Sequence, residues 1–266
     1  MIETITLLGG KGKLGDPEPL RRVDLKMGDI LSVVGPTGCG KTTLINDIEL
    51  YANANTPSER RILINGEPAA SDDLSEPSKN PIALISQHTN FLSDLPVQEF
   101  LDTHARIRGI LDPVSAVAET VGFANQLTGE PIILTSAMTE LSGGQTRALL
   151  IADAVIIGNS PIILLDEIEN AGIHRTKALE LLRGYRKIFI FVTHDPRIAL
   201  LSDYRVVMRD GGMQKLIVTG VEERGVAEEI RKLDDLLLDF RQRIRAGEEL
   251  DQERMHKRLR ELGYIA

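Results

Sequence analysis

Aromatic residues and cysteine are scarce in this sequence. The 266 residues include one cysteine, no tryptophan and only 4% aromatic residues in total. The lone Cys39 cannot form an internal disulfide, which excludes a disulfide-stapled secreted domain and is typical of a reducing cytosol. It also excludes a zinc site built on several cysteines. A chain of this length can bury a core large enough to fold without such cross-links.

Acidic residues outnumber basic residues in this sequence. The chain has 31 Lys and Arg residues against 39 Asp and Glu residues, and its formal net charge is -8 at pH 7. Proteins that bind nucleic acid neutralise backbone phosphates with clustered Lys and Arg side chains. We therefore expect no nucleic-acid partner.

Long apolar runs are missing as well. The most apolar stretch, Ala148–Leu165, is interrupted by Asp153 and Pro161, so it predicts a buried helix and a buried strand rather than a membrane span. Residues Met1–Leu8 lack the basic start and the apolar segment of a signal peptide. We expect a cytoplasmic protein without direct membrane insertion, which reaches the inner face of a membrane only through a partner.

The apolar residues that are present form short strands between helical stretches. Four runs are apolar on both faces, as in a buried parallel sheet: Ile30–Val34, Ile82–Ile85, Ile162–Leu165 and Ile188–Val192. Helical patterns lie between them, namely a helix from Lys41, Gly144–Ala154 and Thr176–Leu182. This alternation predicts an α/β fold with a parallel core sheet.

Other segments extend this core. Three runs predict strands of a smaller antiparallel edge: Ile2–Leu7, Arg61–Ile64 and Tyr204–Met208. Residues 53–79 are rich in Pro, Ser, Asn and Asp, so we expect mostly loop around one short strand. Residues 96–135 predict a helical insertion, which extends to a helical subdomain over about residues 96–145.

The end of the chain has a different pattern. Apolar residues recur at alternating spacings of four and three, which predicts an amphipathic helix with an apolar stripe: Val226, Ile230, Leu233, Leu237, Phe240 and Ile244. Gly247 interrupts this pattern, and a second short helix follows. The stripe either packs on the protein's own core or forms a surface for a dimer or another partner.

One segment has the composition of a phosphate-binding loop. Residues 35–42 fit the pattern G-x-x-x-x-G-K-[ST] between a predicted strand and a predicted helix, which is the context that the motif requires. Glycines let consecutive N–H groups point at phosphate oxygens, and a helix N-terminus favours anions. Lys41 would reach the β- and γ-phosphates, and Thr42 would coordinate Mg²⁺. The predicted nucleotide contacts are Gly35, Pro36, Thr37, Gly38, Cys39, Gly40, Lys41, Thr42 and Thr43.

Two carboxylates end the strand that starts at Ile162. Asp166 and Glu167 follow an aliphatic run, and a buried parallel strand delivers such residues to the sheet edge where the phosphate loop also lies. Asp166 is the candidate Mg²⁺ partner, through water, because Mg²⁺ keeps much of its hydration shell. Glu167 is the candidate base that polarises the attacking water. Together with the phosphate loop, these residues predict a phosphoryl-transfer site.

Three more segments resemble those of a known family. Leu141-Ser142-Gly143-Gly144-Gln145 resembles the signature of ATP-binding-cassette (ABC) ATPases. Ile85-Ser86-Gln87 resembles the glutamine loop of that family, and Val192-Thr193-His194-Asp195 resembles its switch histidine. With the phosphate loop and the acidic strand end, five elements occur in the family's order over roughly residues 1–218. The resemblance implies a P-loop NTPase fold that uses ATP and Mg²⁺.

The resemblance also implies a separate role for each of these motifs. Gln87 would contact Mg²⁺ or the attacking water, and His194 would bind the γ-phosphate and orient Glu167. The residues Ser142 to Gln145 would meet the ATP that is bound to a second copy of the chain. ATP would then join two copies in a symmetric dimer with two composite sites.

Some positions depart from the family pattern. No aromatic residue precedes Tyr51, so the usual stacking of adenine near the N-terminus is missing and preference for ATP over GTP is put in question. Ile168 replaces the proline that usually follows the catalytic glutamate, and residues 169–174 differ from the usual loop that couples the two sites. Asp153 stands where an arginine is common.

Two functions fit this pattern. The chain is either the ATPase subunit of an ABC transporter, docked on a membrane permease, or a soluble ABC ATPase that remodels or activates a client such as a metalloenzyme or repair factor. Residues 87–101 resemble the importer region that contacts a permease, while the departures and the tail favour the second function. A nucleotide sensor without turnover is disfavoured because Gln87, Glu167 and His194 are present.

Residues 1–221 would form the nucleotide-binding domain and residues 222–266 a helical extension.

Overall fold

The computed structural model describes residues 2–68, 80–86, 88–167, 175–249, 251–261 and 263–264, without the side chains of residues 175–177 and 242. The chain divides into two compact units, Met1–Val218 and Thr219–Ala266. None of the helices in the described ranges combines the length and the apolar character that a membrane span needs.

A six-stranded sheet lies at the centre of the described part of the first unit. Its strands are β3 (Ile30–Val34), β6 (Ile82–Ile85), β7 (Ile162–Asp166), β8 (Ile188–Val192), β9 (Tyr204–Arg209) and β10 (Gly212–Val218). They lie in the order β10-β9-β3-β8-β7-β6. All neighbours are parallel except β10, which is antiparallel to β9. The four predicted core strands are therefore confirmed as a parallel sheet.

A second sheet of four antiparallel strands belongs to the same unit. It consists of β1 (Thr4–Leu8), β2 (Arg22–Lys26), β4 (Arg61–Ile64) and β5 (Glu67–Pro68). These strands lie in the order β2-β1-β4-β5. The expected antiparallel edge is confirmed for the strands near Ile2–Leu7 and at Arg61–Ile64. In residues 53–68 the structure has two short strands where the sequence predicted one.

Helices cover the parallel sheet and extend the chain. In the first unit they are α1 (Lys41–Glu49), α2 (Val97–Ile107), α3 (Pro113–Leu127), α4 (Gly143–Val155), α5 (Arg175–Arg183) and α6 (Pro196–Leu201). The second unit contains α7 (Val221–Arg245) and α8 (Gln252–Glu261), so the two helices predicted for the tail are confirmed. Helices α2 and α3 form the helical insertion expected over residues 96–135.

Alternate residues of the core strands face two separate apolar clusters. In β7, Ile163 and Leu165 belong to a cluster with residues of helices α2 to α5, whereas Ile162 and Leu164 belong to a cluster with α1 and the antiparallel sheet. All four side chains are fully buried. Burial on both faces explains why these strands have no polar alternation in sequence.

One strand assignment was wrong. The sequence placed Tyr204–Met208 in the small antiparallel edge, but β9 pairs in parallel with β3 and belongs to the central sheet. The apolar pattern of a strand indicates burial and does not identify its neighbour, because the partner comes from a distant part of the chain. Strands β2, β5 and β10 were not predicted at all. The structure pairs β10 with β9 through the tight turn at Asp210 and Gly211.

A fully buried arginine connects three distant segments of the first unit. The Arg60 guanidinium donates to Glu18 Oε1 at 2.6 Å, to Asp47 Oδ2 at 2.8 Å and to the carbonyl oxygen of Gly211 at 2.7 Å. Arg60 and Glu18 have side chains with no solvent exposure. Burial lowers the pKa of Arg60, but hydrogen bonds and the charges of Glu18 and Asp47 outweigh it, so the pKa is raised above its ordinary value. We call these residues, Glu18, Asp47 and Arg60, the buried charge cluster.

We expect Arg60→Met to destabilise the protein by about 3–5 kcal/mol, because it leaves two buried carboxylates without their cation. Equilibrium unfolding in urea measures this loss. Arg22→Met is the matched control, since Arg22 pairs with Asp24 in an exposed position and should change the unfolding midpoint little. Equal midpoints for Arg60→Met and the wild type would contradict the role given to the cluster.

Candidate nucleotide-binding site

Neighbouring parallel strands deliver the predicted site residues to one edge of the sheet. Strands β3, β8, β7 and β6 lie side by side in that order. The phosphate loop (residues 35–42) follows β3, His194 follows β8, and Asp166 and Glu167 come at the end of β7. The carboxyl ends of parallel strands are where open α/β sheets bind ligands. The sheet order therefore brings together residues that are far apart in sequence.

Backbone conformation shapes the phosphate loop. Gly38 and Gly40 have positive φ angles of 76° and 96°, which favour glycine. A Cβ atom at Gly35 would lie 2.4 Å from the carbonyl oxygen of Met208, so a side chain does not fit there. Gly40 precedes α1, whose exposed first turn contains Thr42 and Thr43. The loop thus presents backbone N–H groups and a helix N-terminus at the same place, which suits an anion.

Lys41 lies folded onto the loop in this structure. Its Nζ donates to the carbonyl oxygens of Gly35 at 2.9 Å and of Pro36 at 3.1 Å. The side chain is buried, with 6% of the residue exposed. A buried ammonium needs partners, and two neutral carbonyls are weaker partners than a phosphate. Lys41 is therefore placed to exchange these carbonyls for phosphate oxygens.

The turn between β9 and β10 contacts the phosphate loop, which sequence reasoning missed. The Gly211 N–H donates to the carbonyl oxygen of Cys39 at 3.0 Å, while the Gly211 carbonyl accepts from Arg60. A Cβ atom at Gly40 would lie 3.0 Å from the Cα atom of Gly211. The buried charge cluster is thereby linked to the loop through one glycine. The Asp-Gly-Gly run at 210–212 indicates a tight turn, but nothing local indicates its contact with residue 39.

Lys13 also reaches the phosphate loop, although sequence reasoning predicts no role for the N-terminal loop. Its backbone N–H donates to the carbonyl oxygen of Asp210 at 2.8 Å, and its Nζ donates to the carbonyl oxygen of Gly38 at 2.6 Å. The residue is solvent-exposed. A second lysine is therefore present at the rim of the loop.

Glu167 and His194 face each other across strands β7 and β8. His194 Nε2 lies 3.6 Å from Glu167 Oε1, and the two side chains are 46% and 33% exposed. Glu167 has a φ angle of 50°, which is uncommon for a residue other than glycine, and its N–H donates to the carbonyl oxygen of Val192 at 3.0 Å. Such conformations cost about 1–3 kcal/mol and persist where surrounding contacts hold them. The structure thus places His194 and Glu167 side by side, and the roles assigned to them stay predictions.

The segment after β8 is fixed by its own hydrogen bonds. The Asp195 N–H donates to Thr193 Oγ1 at 2.9 Å, and Asp195 caps α6 by accepting from the Arg197 N–H at 2.8 Å. Thr193 and Asp195 are buried, while His194 between them is half-exposed. A cleft of about 390 Å³ is lined by Gly35 and His194 among others. His194 is thus held on a rigid turn beside the phosphate loop.

The signature segment forms an exposed helix N-terminus. Ser142 Oγ accepts from the Gln145 N–H at 3.3 Å, and the Ser142 N–H donates to Gln145 Oε1 at 2.9 Å, which together form a capping box. Gln145 also donates from Nε2 to the carbonyl oxygen of Pro131 at 3.0 Å. Ser142 and Gly143 are exposed, and Gly144 is half-exposed. The start of α4 therefore points free backbone N–H groups at solvent rather than into the core.

Two predicted elements lie outside the described residues. Gln87 is one of them, and the altered segment from Ile168 to His174 is the other. Strand β6 ends at Ile85, two residues before Gln87. Their roles stay predictions.

The geometry defines a P-loop nucleotide-binding domain with a helical signature segment, and the comparisons with known proteins agree. The model of the ABC transporter family matches residues 21–170. The chain therefore belongs to the ABC transporter ATP-binding cassette family, and it is an ABC ATPase.

Individual relatives extend over most of the chain. It is 51% identical over 252 residues to the uncharacterized ABC transporter ATP-binding protein MJ0121 of Methanocaldococcus jannaschii, covering 95% of this chain and 96% of that protein. It is 32% identical over 205 residues to the spermidine/putrescine import protein PotA of Bacillus anthracis, covering 74% of this chain and 60% of PotA. The dimeric cassette MJ0796 bound to ADP and Pi shares the fold, with a TM-score of 0.62, 24% identity, and coverage of 81% and 99%.

We expect Gly211→Ala to weaken ATP binding by about tenfold, or about 1.4 kcal/mol, because its Cβ would lie 2.6 Å from the Lys13 backbone nitrogen and displace the turn from the loop. Calorimetric titration measures the affinity. Gly28→Ala is the control: its φ angle of 101° gives a similar strain, but it lies at the other end of β3 with open space around it. Gly28→Ala should lower stability and keep the affinity. Equal affinity losses in both variants would refute the specific role of the turn.

Proposed function

We propose that this chain hydrolyses Mg-ATP as one half of a symmetric pair and thereby drives a membrane transport partner. The observation that carries the proposal is the convergence of the phosphate loop, Asp166, Glu167 and His194 on the ends of neighbouring parallel strands. The phosphate loop, the two acidic residues and the histidine then each follow or end a strand of one sheet, which suits the positioning of reacting groups.

The donor set suits Mg²⁺ that arrives with the nucleotide. Thr42 supplies a hydroxyl in the exposed first turn of α1, and Asp166 supplies a partly exposed carboxylate at the end of β7. Oxygen ligands of this type suit a hard cation that keeps most of its waters. Within the described residues, no three His, Cys, Asp or Glu side chains form a metal-holding group, in line with an ion bound largely by phosphates. Bound Mg²⁺ would offset phosphate charge, and Gln87 is assigned to it by resemblance.

Glu167 is the proposed base. Its carboxylate accepts hydrogen bonds and can polarise a water molecule for attack on the γ-phosphate. His194, 3.6 Å away, can orient that carboxylate and donate to the γ-phosphate. The hydrogen bond from the Glu167 N–H to Val192 fixes the backbone from which the carboxylate extends. The phosphates themselves are bound by Lys41 and by the loop N–H groups.

The exposed start of α4 supports a shared site. Free N–H groups at a helix N-terminus, together with the Ser142 hydroxyl, suit a phosphate. We assign this role to Ser142, Gly143, Gly144 and Gln145 toward the ATP of a second copy. Because each copy offers both a loop and a signature, two equivalent sites form about a twofold axis. ATP binding is then coupled to the approach of two subunits.

The relatives indicate the kind of partner. MJ0121, which matches nearly the whole chain, is named as a transporter ATP-binding protein, and PotA as a protein of spermidine/putrescine import. The chain spans 60% of PotA, so the proposal stops at a membrane permease and names no substrate. The segment before α2 suits docking, because Leu92 is 98% exposed beside the edge-to-face pair of Phe91 and Phe100. The protein would act at the cytoplasmic face of the membrane through this partner.

We expect Glu167→Gln to bind ATP normally, to lose turnover by about 10²–10⁴-fold, and to accumulate as an ATP-bound dimer, because the nucleotide that joins the subunits is no longer cleaved. Phosphate release and light scattering after gel filtration measure these outcomes. The double variant Glu167→Gln/Ser142→Arg should stay monomeric with ATP, since the arginine blocks the shared contact. Normal turnover in Glu167→Gln would refute the assigned base, and a stable dimer of the double variant would refute the shared site.

The partner is tested by purifying tagged Glu167→Gln from solubilised membranes of its source cell with Mg-ATP. We expect a protein with several membrane spans in stoichiometric amount. The matched control carries Leu92→Arg in addition, which changes an exposed residue and should lose the partner while it keeps ATP binding. Recovery of soluble proteins alone would overturn the transport role and favour a soluble ATPase that remodels a client.

A further inference from the structure

Two lysines rest on carbonyl oxygens of the same phosphate loop. Lys41 Nζ contacts Gly35 and Pro36 at the start of the loop, and Lys13 Nζ contacts Gly38 near its tip at 2.6 Å. Gly38 is exposed, and the space where its side chain would be is open. The Lys13 ammonium is therefore bonded to a neutral carbonyl of an exposed residue of the anion-binding loop.

The backbone of Lys13 is held in place although its side chain is exposed. Its N–H is bonded to Asp210 at the β9–β10 turn. The surrounding loop is fixed by the buried charge cluster, since Glu18 Oε2 accepts from the Gly10 N–H at 2.7 Å. The ammonium thus sits on a flexible stem above a fixed base. Rotation about the bonds of this stem can change the partner of the ammonium without a change in the backbone.

The negative charge of a phosphate favours transfer of the Lys13 ammonium from the Gly38 carbonyl to the phosphate. An ammonium bonds more strongly to an ionised phosphate oxygen than to a neutral carbonyl. Lys41 is placed to make the same exchange from the other edge of the loop. The N-terminal segment that contains Lys13 has no aromatic residue: the first one is Tyr51, which is buried and donates to Asn80 Oδ1 at 2.7 Å.

We propose that Lys13 is a second phosphate-binding lysine: when nucleotide binds, its ammonium moves from the Gly38 carbonyl to a phosphate oxygen. The phosphates are then bound from both edges of the loop. Because Lys13 contacts a phosphate and not the base, its contribution to the affinity is the same for ATP and GTP. The proposal rests on nucleotide binding by the phosphate loop, and it is independent of hydrolysis, of the subunit pair and of the transport partner.

The test measures dissociation constants of ATP and GTP without Mg²⁺, so that neither turnover nor metal binding contributes. We expect Lys13→Met to weaken both nucleotides by the same factor of about ten, the size expected for a hydrogen bond to a charged group. Lys13→Arg should restore most of the affinity. Lys11→Met is the matched control, because Lys11 lies on the same loop but pairs with Glu59 at 2.6 Å, and its loss should change neither constant.

Lys13→Gln separates phosphate binding from a merely structural contact. The amide keeps an N–H donor for the Gly38 carbonyl but has no charge for a phosphate. We expect Lys13→Gln to bind nucleotide as weakly as Lys13→Met, with a loss that shrinks at high salt. Wild-type affinity in Lys13→Gln would show that Lys13 only holds the loop. Unchanged affinity in Lys13→Met, or a loss confined to ATP, would equally overturn the proposal.

Discussion

The buried guanidinium of Arg60 holds three segments of the chain in place around the phosphate loop. Arg60 bonds Glu18 of the N-terminal loop, Asp47 of α1 and the carbonyl oxygen of Gly211. Burial makes an unpaired charge costly, so none of these three segments can move away alone. Gly211 in turn donates to Cys39 of the phosphate loop. The shape of the exposed phosphate loop is thus maintained by a charge cluster that is buried beside it.

The relative positions of Glu167 and His194 depend on a different constraint, which is the register of the parallel sheet. The Glu167 N–H is bonded to Val192 of the adjacent strand, and this bond holds the glutamate in a conformation with positive φ. His194 follows the same strand two residues later and comes within 3.6 Å of the carboxylate. A shift of one residue between β7 and β8 would turn these side chains to opposite faces. The strands that are apolar on both faces therefore fix the position of Glu167 relative to His194 as well as the core.

The phosphate contacts proposed above are distributed over elements with different freedom. The loop N–H groups are part of the fold, the start of α4 is exposed and fixed by its capping box, and Lys13 and Lys41 carry their charges on flexible stems. Rigid dipoles with adaptable cations suit a ligand whose charge changes when its terminal phosphate is lost.

The sequence by itself determined the local motifs, namely the phosphate loop, the apolar strands and the signature segment from Leu141 to Gln145, because each is a pattern of residues that are close along the chain. It also determined the α/β class and the family. Tertiary structure alone decided that Tyr204–Met208 joins the parallel sheet, that Lys13 reaches Gly38, and that Arg60 meets partners 13, 42 and 151 residues away. Hydrophobic periodicity indicates which residues are buried, but pairing between distant segments is set by the packing of the whole unit, in which the buried charge of Arg60 is held by carboxylates from other segments.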